Sequence, residues 1–515
     1  MRDRQDGTAG GAERRLSAGV KYRPIMVMGT TSGAGKSFLV TALCRILSDE
    51  GLKVAPYKAQ NMSLNSCVTE QGEEIARIQE LQARAARTRA EGAMNPILLK
   101  PKGDAISQVI VMGRPYRDMD VKEYYGHFVN TEGREILRRS FQKLAAENDI
   151  VVIEGAGSPA EINIADGDIA NMGAAEIADA ACILAVNSEW GGMFAYLVGT
   201  IMLLEPQQRV RFKGIVINNF RGDPDCLRSG IERVERELGI PVLGVVPHMD
   251  TELPTEDSMF IGSKVKEGDG IRIGVVRLPR ISNFTDFDAL TLEESVSVVF
   301  VSDPDQLDQV DAIILPGTKN TIVDLNWLEA KGFAGRITQL AGKVPILGIC
   351  GGYQMLGQEI VDEKGIEGGS GQRVKGLGLL PVVTTFDAYE KCTVQVEARL
   401  ASNGARVRGY EIHMGRSEVL QGEPLFLVKD EKGEHPDGTI SSDGMVMGTY
   451  LHGLFDLPAF RKRFLASMSE KHGHEESGCI DTEDRVEASI QKSADIVRAN
   501  IDMEAVFRML EGGRI

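Results

Sequence analysis

The sequence has little of what marks several large classes of protein. Its seven cysteines, among 515 residues, show no CxxC or CxxH spacing. This argues against zinc sites and disulfide frameworks, and favours a reducing cytoplasm. Acidic residues outnumber basic ones, and the formal charge of −16 argues against sequence-independent binding to nucleic acid, whose phosphates would be repelled.

Long apolar runs are also absent. The longest, residues 190–204, is shorter than the roughly 20 residues that span a bilayer, so we predict a buried helix there and no membrane association. The N-terminus is polar and glycine-rich and has no apolar h-region, which argues against a secretory signal. We predict that residues 1–23 form a disordered tail.

Short apolar runs that alternate with longer amphipathic segments indicate the fold class. Continuous β-branched strands separated by helices are typical of a parallel sheet covered on both faces, so we predict an α/β protein. The length predicts at least two domains. The expected strands lie at 25–29, 53–58, 149–155, 181–187, 213–219 and 241–247, then at 271–277, 296–301, 311–317, 345–350 and 445–450. The predicted divisions are a first domain at 24–250, a linker at 251–270, a second domain at 271–460 and a helical extension at 461–515.

The segment GTTSGAGKS, residues 29–37, follows the first strand and opens an amphipathic helix. This context is typical of a phosphate-binding loop. Backbone N–H groups from Gly33 through Gly35 to Lys36 can hold phosphate oxygens, Lys36 neutralises their charge, and the Ser37 hydroxyl can bind Mg²⁺. The loop is one residue longer than GxxxxGK[ST]. Glu154, at the carboxyl end of a buried strand, is the expected acidic ligand of the metal.

The segment GICGGYQ, residues 348–354, predicts a nucleophile elbow. Small residues around Cys350 permit a sharp strand-to-helix turn, the helix N-terminus lowers the thiol pKa, and the next backbone N–H can stabilise an oxyanion. A cysteine nucleophile needs a base. His452 follows a predicted strand and is our candidate, with His413 as the competitor.

Eight segments together resemble the glutamine-hydrolysing cobyric acid synthase family, over roughly residues 24–460. These are GTTSGAGKS at 29–37, YKAQNMSLNS at 57–66, NPILLKP at 95–101, EGAGSPAEIN at 154–163, PGTKNT at 316–321, GICGGYQMLG at 348–357, GYEIHMG at 409–415 and GTYLHGLFD at 448–456. The resemblance implies a P-loop ATP domain similar to that of dethiobiotin synthetase, whose phosphate loop is also one residue longer. A class I glutamine amidotransferase domain is implied to follow it.

The implied activity uses ATP, Mg²⁺ and L-glutamine to amidate the b, d, e and g carboxylates of a corrinoid, adenosylcobyrinic acid a,c-diamide, in cobalamin biosynthesis. Cys350 and His452 match the family's catalytic pair. The other implied roles are an oxyanion hole at Gly317 and Gly351, a second metal ligand at Glu74, a phosphate or carboxylate contact at Lys58, and corrin contacts at Gln60, Asn61 and Ser63.

One departure from the wider amidotransferase pattern concerns the histidine. Many class I members carry His-x-Glu, whose glutamate orients the imidazole, whereas this sequence reads His452-Gly453-Leu454. The sequence therefore leaves open which group orients His452.

Two alternative functions stay open. Cobyrinic acid a,c-diamide synthase has the same two-domain organisation and acts on an earlier corrinoid, although the segment AQNMSLNS, residues 59–66, resembles the later enzyme. A regulatory or partition ATPase with a non-catalytic second domain belongs to a different class. It would not need a cysteine elbow. The sequence leaves the oligomeric state open.

Overall fold

The computed structural model describes residues 16–103, 105–249, 253, 270–367, 371–430, 433–472 and 481–513. Residues 1–15 of the predicted tail lie outside this range, as does the predicted linker apart from Leu253 and Gly270. None of the helices within it is long and apolar enough to cross a bilayer.

The first domain contains twelve strands and eight α-helices among the described residues. They are β1 Ile25–Gly29, α1 Lys36–Asp49, β2 Val54–Tyr57, β3 Gln60–Met62, β4 Ser66–Val68, β5 Glu74–Ala76, α2 Arg77–Ala85, β6 Ile97–Gly103, β7 Ile106–Val111, β8 Arg114–Asp120, α3 Val121–Glu123, α4 Arg134–Glu147, β9 Ile150–Glu154, α5 Met172–Ala178, β10 Ala181–Asn187, α6 Met193–Leu203, α7 Pro206–Arg209, β11 Phe212–Phe220, α8 Arg228–Leu238 and β12 Val242–Pro247.

The main sheet of this domain is parallel and has the order β12-β11-β10-β1-β9-β2. Strands β1, β9 and β10 are buried along their whole length, because helices cover both faces. The carboxyl ends of β1 and β9 are therefore neighbours, and the phosphate loop and Glu154 follow from them. A separate sheet, β3-β6-β7-β8, and the hairpin β4-β5 lie between β2 and α4 in the chain.

The second domain is also α/β. Its elements are β13 Ile271–Val276, α9 Asp288–Thr291, β14 Val296–Val301, β15 Ala312–Leu315, α10 Thr321–Ala330, α11 Phe333–Leu340, β16 Ile346–Ile349, α12 Gly351–Leu356, β17 Glu359–Asp362, β18 Gln372–Lys375, β19 Val382–Thr385, β20 Cys392–Leu400, β21 Arg406–His413, β22 Arg416–Val419, β23 Phe426–Asp430, β24 Gly433–Asp437, β25 Thr439–Ile440 and β26 Val446–Thr449.

The main sheet of the second domain has the order β14-β13-β15-β16-β26-β25 and is parallel except for the last pair. The predicted α/β class and the eleven predicted strands are confirmed, with ends that differ by at most two residues. Two antiparallel sheets, β18-β17-β19-β22 and β21-β20-β23-β24, complete the domain. Strands β16 and β26 are adjacent, so Cys350 and His452 follow neighbouring strands.

The C-terminal helices are α13 Pro458–His472, α14 Thr482–Asn500 and α15 Met503–Leu510. The chain contacts the first domain again in this region: the N–H of Asp502 donates to the carbonyl of Leu243 at 2.8 Å. Arg45 pairs with Glu487 at 2.6 Å. The last two helices therefore help to cover the sheet that carries the phosphate loop.

The prediction of a disordered tail through residue 23 is wrong for residues 16–23. Leu16 is buried in the core of the first domain. Lys21 Nζ donates to three carbonyls at the C-terminal end of α4, between 2.6 and 2.8 Å away. A cation is favourable there because these carbonyls have no partner within the helix.

The prediction of a buried helix at 190–204 is only half correct. Leu197 and Ile201 of α6 pack in the core, but Tyr196, Met202 and Leu203 are 44%, 53% and 56% exposed. The helix lies on the outside of the sheet, so only the face toward the strands is covered.

Candidate active sites

Cys350 stands at the turn between β16 and α12 in a conformation that non-glycine residues rarely adopt, with φ 51° and ψ −108°. Glycines on both sides make this turn possible. A Cβ at Gly348 would lie 2.7 Å from the carbonyl of Gly352, and one at Gly352 would meet the carbonyl of Leu315. The thiol is held 3.5 Å from the carbonyl oxygen of Ile412. This geometry is that of a nucleophile elbow.

His452 lies beside Cys350 and has an acidic partner that the sequence did not reveal. Its Nδ1 is 2.7 Å from Oδ2 of Asp286, and the other oxygen of that carboxylate accepts the N–H of Gly453 at 2.9 Å. Asp286 and His452 are 2% and 1% exposed. Two hydrogen bonds from consecutive residues fix the carboxylate, so Asp286 orients the imidazole in place of the missing His-x-Glu glutamate.

The electrostatics of this trio favour a thiolate. Burial alone would lower the pKa of His452, but the Asp286 carboxylate and Cys350 raise it to about 10. Burial alone would raise the pKa of Cys350, but the hydrogen bond and charge of His452 lower it below its ordinary value. Both pKa shifts favour the thiolate and imidazolium pair, the reactive state of a cysteine nucleophile.

The two glycines predicted for an oxyanion hole both lie near the nucleophile. The backbone N–H of Gly351 helps to lower the pKa of the Cys350 thiol. Gly317 lies against the imidazole, where a Cβ would come 3.0 Å from Cε1 of His452. Their role in binding an oxyanion remains a prediction.

His413, the competing histidine, lines the same cavity but has different partners. Its Nδ1 is 2.8 Å from the carbonyl oxygen of Gly415, and its Nε2 is 3.1 Å from Oε2 of Glu411. Its ring stacks on Tyr450, with 3.8 Å between centroids. His452 lowers the pKa of the Cys350 thiol more than His413 does, which favours His452 as the base.

The phosphate loop joins β1 to α1. Gly33 and Gly35 both have positive φ, 71° and 87°, and a Cβ at Gly35 would collide with the side chain of Asn218. Lys36 Nζ donates to the carbonyl oxygens of Thr31 and Gly157, at 3.0 and 3.1 Å. The Lys36 ammonium group therefore lies over the phosphate loop, where it can contact a bound phosphate.

Glu154 is fully buried at the end of β9 and has three partners. Its Oε1 accepts from Ser37 Oγ at 2.8 Å and from Lys58 Nζ at 2.8 Å, and its Oε2 accepts from Gln82 Nε2. A hydroxyl and a carboxylate side by side next to Lys36 fit a Mg²⁺ ion bound to a nucleotide. Lys58, which was predicted to contact a phosphate or a carboxylate, forms an ion pair with the carboxylate of Glu154.

Glu74, predicted as a second metal ligand, lies instead at the contact between the two domains. Its Oε1 accepts from Lys100 Nζ at 2.6 Å and from Ser66 Oγ at 2.9 Å, and its Oε2 pairs with Lys391 of the second domain. Burial would raise the pKa of Glu74, but the two lysines hold it well below its ordinary range. Because two lysines already neutralise this carboxylate, we assign Glu74 to an interdomain ion pair and not to a metal site.

The three residues predicted to contact the corrin are turned inward. Gln60 accepts from the hydroxyl of Tyr124 at 2.8 Å, Asn61 donates to Gln79 at 3.1 Å, and Ser63 Oγ donates to the carbonyl of Asn65 at 3.3 Å. Their roles toward a substrate remain predictions.

A cavity of about 50 Å³ connects the cysteine site to the first domain. Cys350, His413 and His452 line one part of it, and Lys100 and Lys391, the partners of Glu74, line another. The wall of the cysteine site thus includes a residue of the nucleotide-binding domain. Sequence reasoning missed this contact and also Asp286, 166 residues before His452.

Comparison with known proteins agrees with this arrangement. Residues 25–258 match the CobQ/CobB/MinD/ParA nucleotide binding domain, and residues 272–460 match the CobB/CobQ-like glutamine amidotransferase domain. Among solved structures, PurLQS from Thermotoga maritima is 19% identical, with a TM-score of 0.29 over 43% of this chain and 98% of that chain, which is too distant to bear on the site.

Curated relatives match nearly the whole chain. A probable cobyric acid synthase of Methanococcoides burtonii is 48% identical over 502 residues, 94% of this chain and 97% of the relative. A cobyric acid synthase of Klebsiella pneumoniae strain 342 is 48% identical over 463 residues, 87% of this chain and 90% of the relative. The chain therefore belongs to the cobyric acid synthase family, a family of amidotransferase ligases with a nucleotide-binding domain.

Proposed function

We propose that the protein uses ATP and L-glutamine to amidate the b, d, e and g carboxylates of adenosylcobyrinic acid a,c-diamide, giving adenosylcobyric acid. One observation carries the proposal: a Cys-His-Asp cluster and a phosphate loop with an acidic partner lie on one chain, in two domains that are joined by the buried pair of Glu74 and Lys391. The thiol site supplies nitrogen, and the phosphate site activates the acceptor.

The cysteine site would release ammonia. The Cys350 thiolate attacks the side-chain amide carbon of glutamine, and the oxyanion that forms is stabilised by neighbouring backbone N–H groups. The His452 imidazolium gives its proton to the departing nitrogen, so that NH₃ leaves and a thioester remains. His452 then takes a proton from water, which attacks the thioester and frees glutamate and the thiolate. Asp286 holds the proton-bearing Nδ1 throughout.

The phosphate site would activate the corrinoid. A carboxylate is a poor acyl donor, since an oxide ion would have to leave. Transfer of the γ-phosphoryl group of ATP to a carboxylate oxygen gives an acyl phosphate, which NH₃ attacks with loss of phosphate. Lys36 would neutralise the transferred group. Ser37 and Glu154 are the residues that would hold Mg²⁺, whose chemistry is to neutralise charge on the phosphate oxygens.

The two alternatives are less well supported. A regulatory ATPase would have no use for an oriented histidine beside an activated cysteine. The relatives that match almost the whole chain carry the name cobyric acid synthase, which favours the later corrinoid over the substrate of cobyrinic acid a,c-diamide synthase. Both ATP supply and a reduced Cys350 are met in the cytoplasm, which we propose as the compartment.

The test is an assay with adenosylcobyrinic acid a,c-diamide, glutamine and ATP, followed by mass spectrometry. We expect four successive amidations, each accompanied by one ADP and one glutamate. A protein that releases no glutamate under these conditions would not be an amidotransferase. Amidation of cobyrinic acid in place of its a,c-diamide would support the earlier enzyme.

A further inference from the structure

A cysteine, a glutamate and a histidine meet on one face of the sheet β21-β20-β23-β24. Cys392 begins β20 and lies directly opposite His413, which ends β21. Directly opposite residues of an antiparallel pair project to the same face, and so do residues two apart on one strand. Glu411 therefore shares this face with His413. Strand pairing, and not a CxxC or CxxH loop, brings the three together, which is why the spacing along the chain did not predict this cluster.

The distances within the cluster are those of a metal site. One ligand atom of each residue lies within 4.8 Å of the other two. His413 Nε2 is 3.1 Å from Glu411 Oε2, and Cys392 Sγ is 3.7 Å from the same oxygen. With bonds of about 2.1 Å to nitrogen or oxygen and about 2.3 Å to sulfur, a tetrahedral Zn²⁺ separates an N,O pair by about 3.4 Å and an S,O pair by about 3.6 Å. The two distances in the structure are close to these values.

The imidazole of His413 is held with its Nε2 toward the other two ligands. Its Nδ1 donates to the carbonyl oxygen of Gly415, 2.8 Å away, and the ring stacks on Tyr450 with 3.8 Å between centroids. With the proton on Nδ1, the neutral imidazole has its lone pair on Nε2, where a metal would bind. A backbone carbonyl on the other ring nitrogen is a usual partner of a metal-binding histidine. The orientation of this ring is therefore set for coordination.

The chemistry of the three donors selects the ion. Mg²⁺ and Ca²⁺ take oxygen ligands, whereas a thiol with an imidazole and a carboxylate suits Zn²⁺. Cys392 is a free thiol. We propose that Cys392, Glu411 and His413 bind one Zn²⁺ ion, with the fourth position left to water. As the Zn–S bond forms, the thiol gives its proton to solvent. This site is separate from the phosphate site and does not depend on the proposed function.

The zinc site adjoins the cavity of the cysteine site. His413 lines that cavity, and the carbonyl oxygen of Ile412, between two of the ligands, lies 3.5 Å from the thiol of Cys350. A bound ion would tie the end of β21 to the start of β20. The ion is thus placed to hold the strand that forms one wall of the cysteine site, and it takes no part in bond breaking there.

The test is titration with Co²⁺, a spectroscopic substitute for Zn²⁺, followed by competition with Zn²⁺. Cys350→Ala is the parent protein, because it removes the thiol that lies beside His452 and could itself bind Co²⁺. We expect a thiolate-to-cobalt charge-transfer band that saturates at one equivalent and that Zn²⁺ abolishes. Cys392→Ser in this background should lose the band, since a hydroxyl does not replace a thiolate ligand.

A matched control is Cys226→Ser in the same background. It removes an exposed thiol elsewhere in the chain and should leave both the band and its endpoint unchanged. Glu411→Gln tests the site without removing the thiol, also in case Cys392→Ser does not fold. We expect it to weaken Zn²⁺ binding, measured by competition with Co²⁺, by at least about tenfold.

A band of equal intensity in the folded Cys392→Ser variant would assign the Co²⁺ to another thiol and overturn the site. The absence of a thiolate band from the Cys350→Ala parent would do so too, because the three side chains would then form a hydrogen-bonded group only. Zn²⁺ affinity that is unchanged in Glu411→Gln would likewise contradict the proposal.

Discussion

Replacement of Asp286 by asparagine tests the assignment of the catalytic trio most directly. The carboxylate lies 2.7 Å from His452 Nδ1, so the charge centres are about 4 Å apart. With an effective dielectric constant of 20 this is worth about 4 kcal/mol, or about 3 pKa units. In Asp286→Asn the pKa of His452 should therefore fall from about 10 to about 7. At pH 8 only about a tenth of His452 would remain imidazolium.

The loss of charge is accompanied by loss of orientation, because an amide can present its NH₂ to Nδ1 and favour the wrong tautomer. The equivalent change in a Ser-His-Asp triad costs about 10⁴-fold, so we expect glutamine hydrolysis at pH 8 to fall by about 10²- to 10⁴-fold. The direction of the pH effect on glutamine hydrolysis follows from the protonation state of His452. The state with a protonated His452 is lost as pH rises through its pKa, so the alkaline limb of kcat/KM should move from near pH 10 toward pH 7.

The assay is glutamate release as a function of pH, together with ammonia-dependent amidation, which should be unaffected. Asp288→Asn is the matched control, since it makes the same change two residues along the chain. If Asp286→Asn kept its activity within about threefold of wild type and the same alkaline limb, Asp286 would not be the group that orients His452.

The remaining predictions concern the phosphate site and the cysteine site separately. Cys350→Ala should abolish amidation with glutamine but spare amidation with ammonium chloride, and loss of both in a folded protein would contradict the division of labour. Lys36→Ala should stop amidation from either nitrogen source, so activity retained with ammonia would refute its role toward phosphate. Iodoacetamide at pH 7 should alkylate Cys350, whose pKa is lowered, and glutamine should protect it. Cys67, whose burial raises its pKa to about 12, should stay unmodified in the peptide map, and equal labelling of both thiols would contradict the thiolate assignment.

The strands of both main sheets could be predicted because they are buried on both faces and read as continuous apolar runs. IMVMG at Ile25–Gly29 and ACILAVN at Ala181–Asn187 begin and end in the structure where the sequence pattern does. The phosphate loop and the cysteine elbow follow such strands, so their local geometry could be predicted too.

The smaller antiparallel strands could not be predicted. Strands such as β4 and β5 are three residues long, too short to show any period, and a hairpin like theirs is stabilised by what packs on it. Their residues Cys67 and Ile75 pack on Tyr410 of the second domain. Two partners from distant parts of the chain were missed for a related reason. Lys391 lies 317 residues from Glu74, and Asp286 lies 166 residues from His452.

Segment 57–66 has a second role in the structure. Its resemblance to the family implied contacts with the corrin, yet its last residues support the cysteine site. The hydroxyl of Thr285 donates to Asn65 Oδ1 at 2.8 Å, and the N–H of Asn283 donates to the carbonyl of Leu64 at 3.3 Å. Both bonds hold the short 3₁₀ helix that carries Asp286. The nucleotide-binding domain therefore helps to place the carboxylate that orients His452.

Because β3 of the same segment pairs with the strand that carries Lys100, one stretch of the first domain contacts the cysteine site in two places. A shift of this stretch would therefore change the geometry of both contacts together.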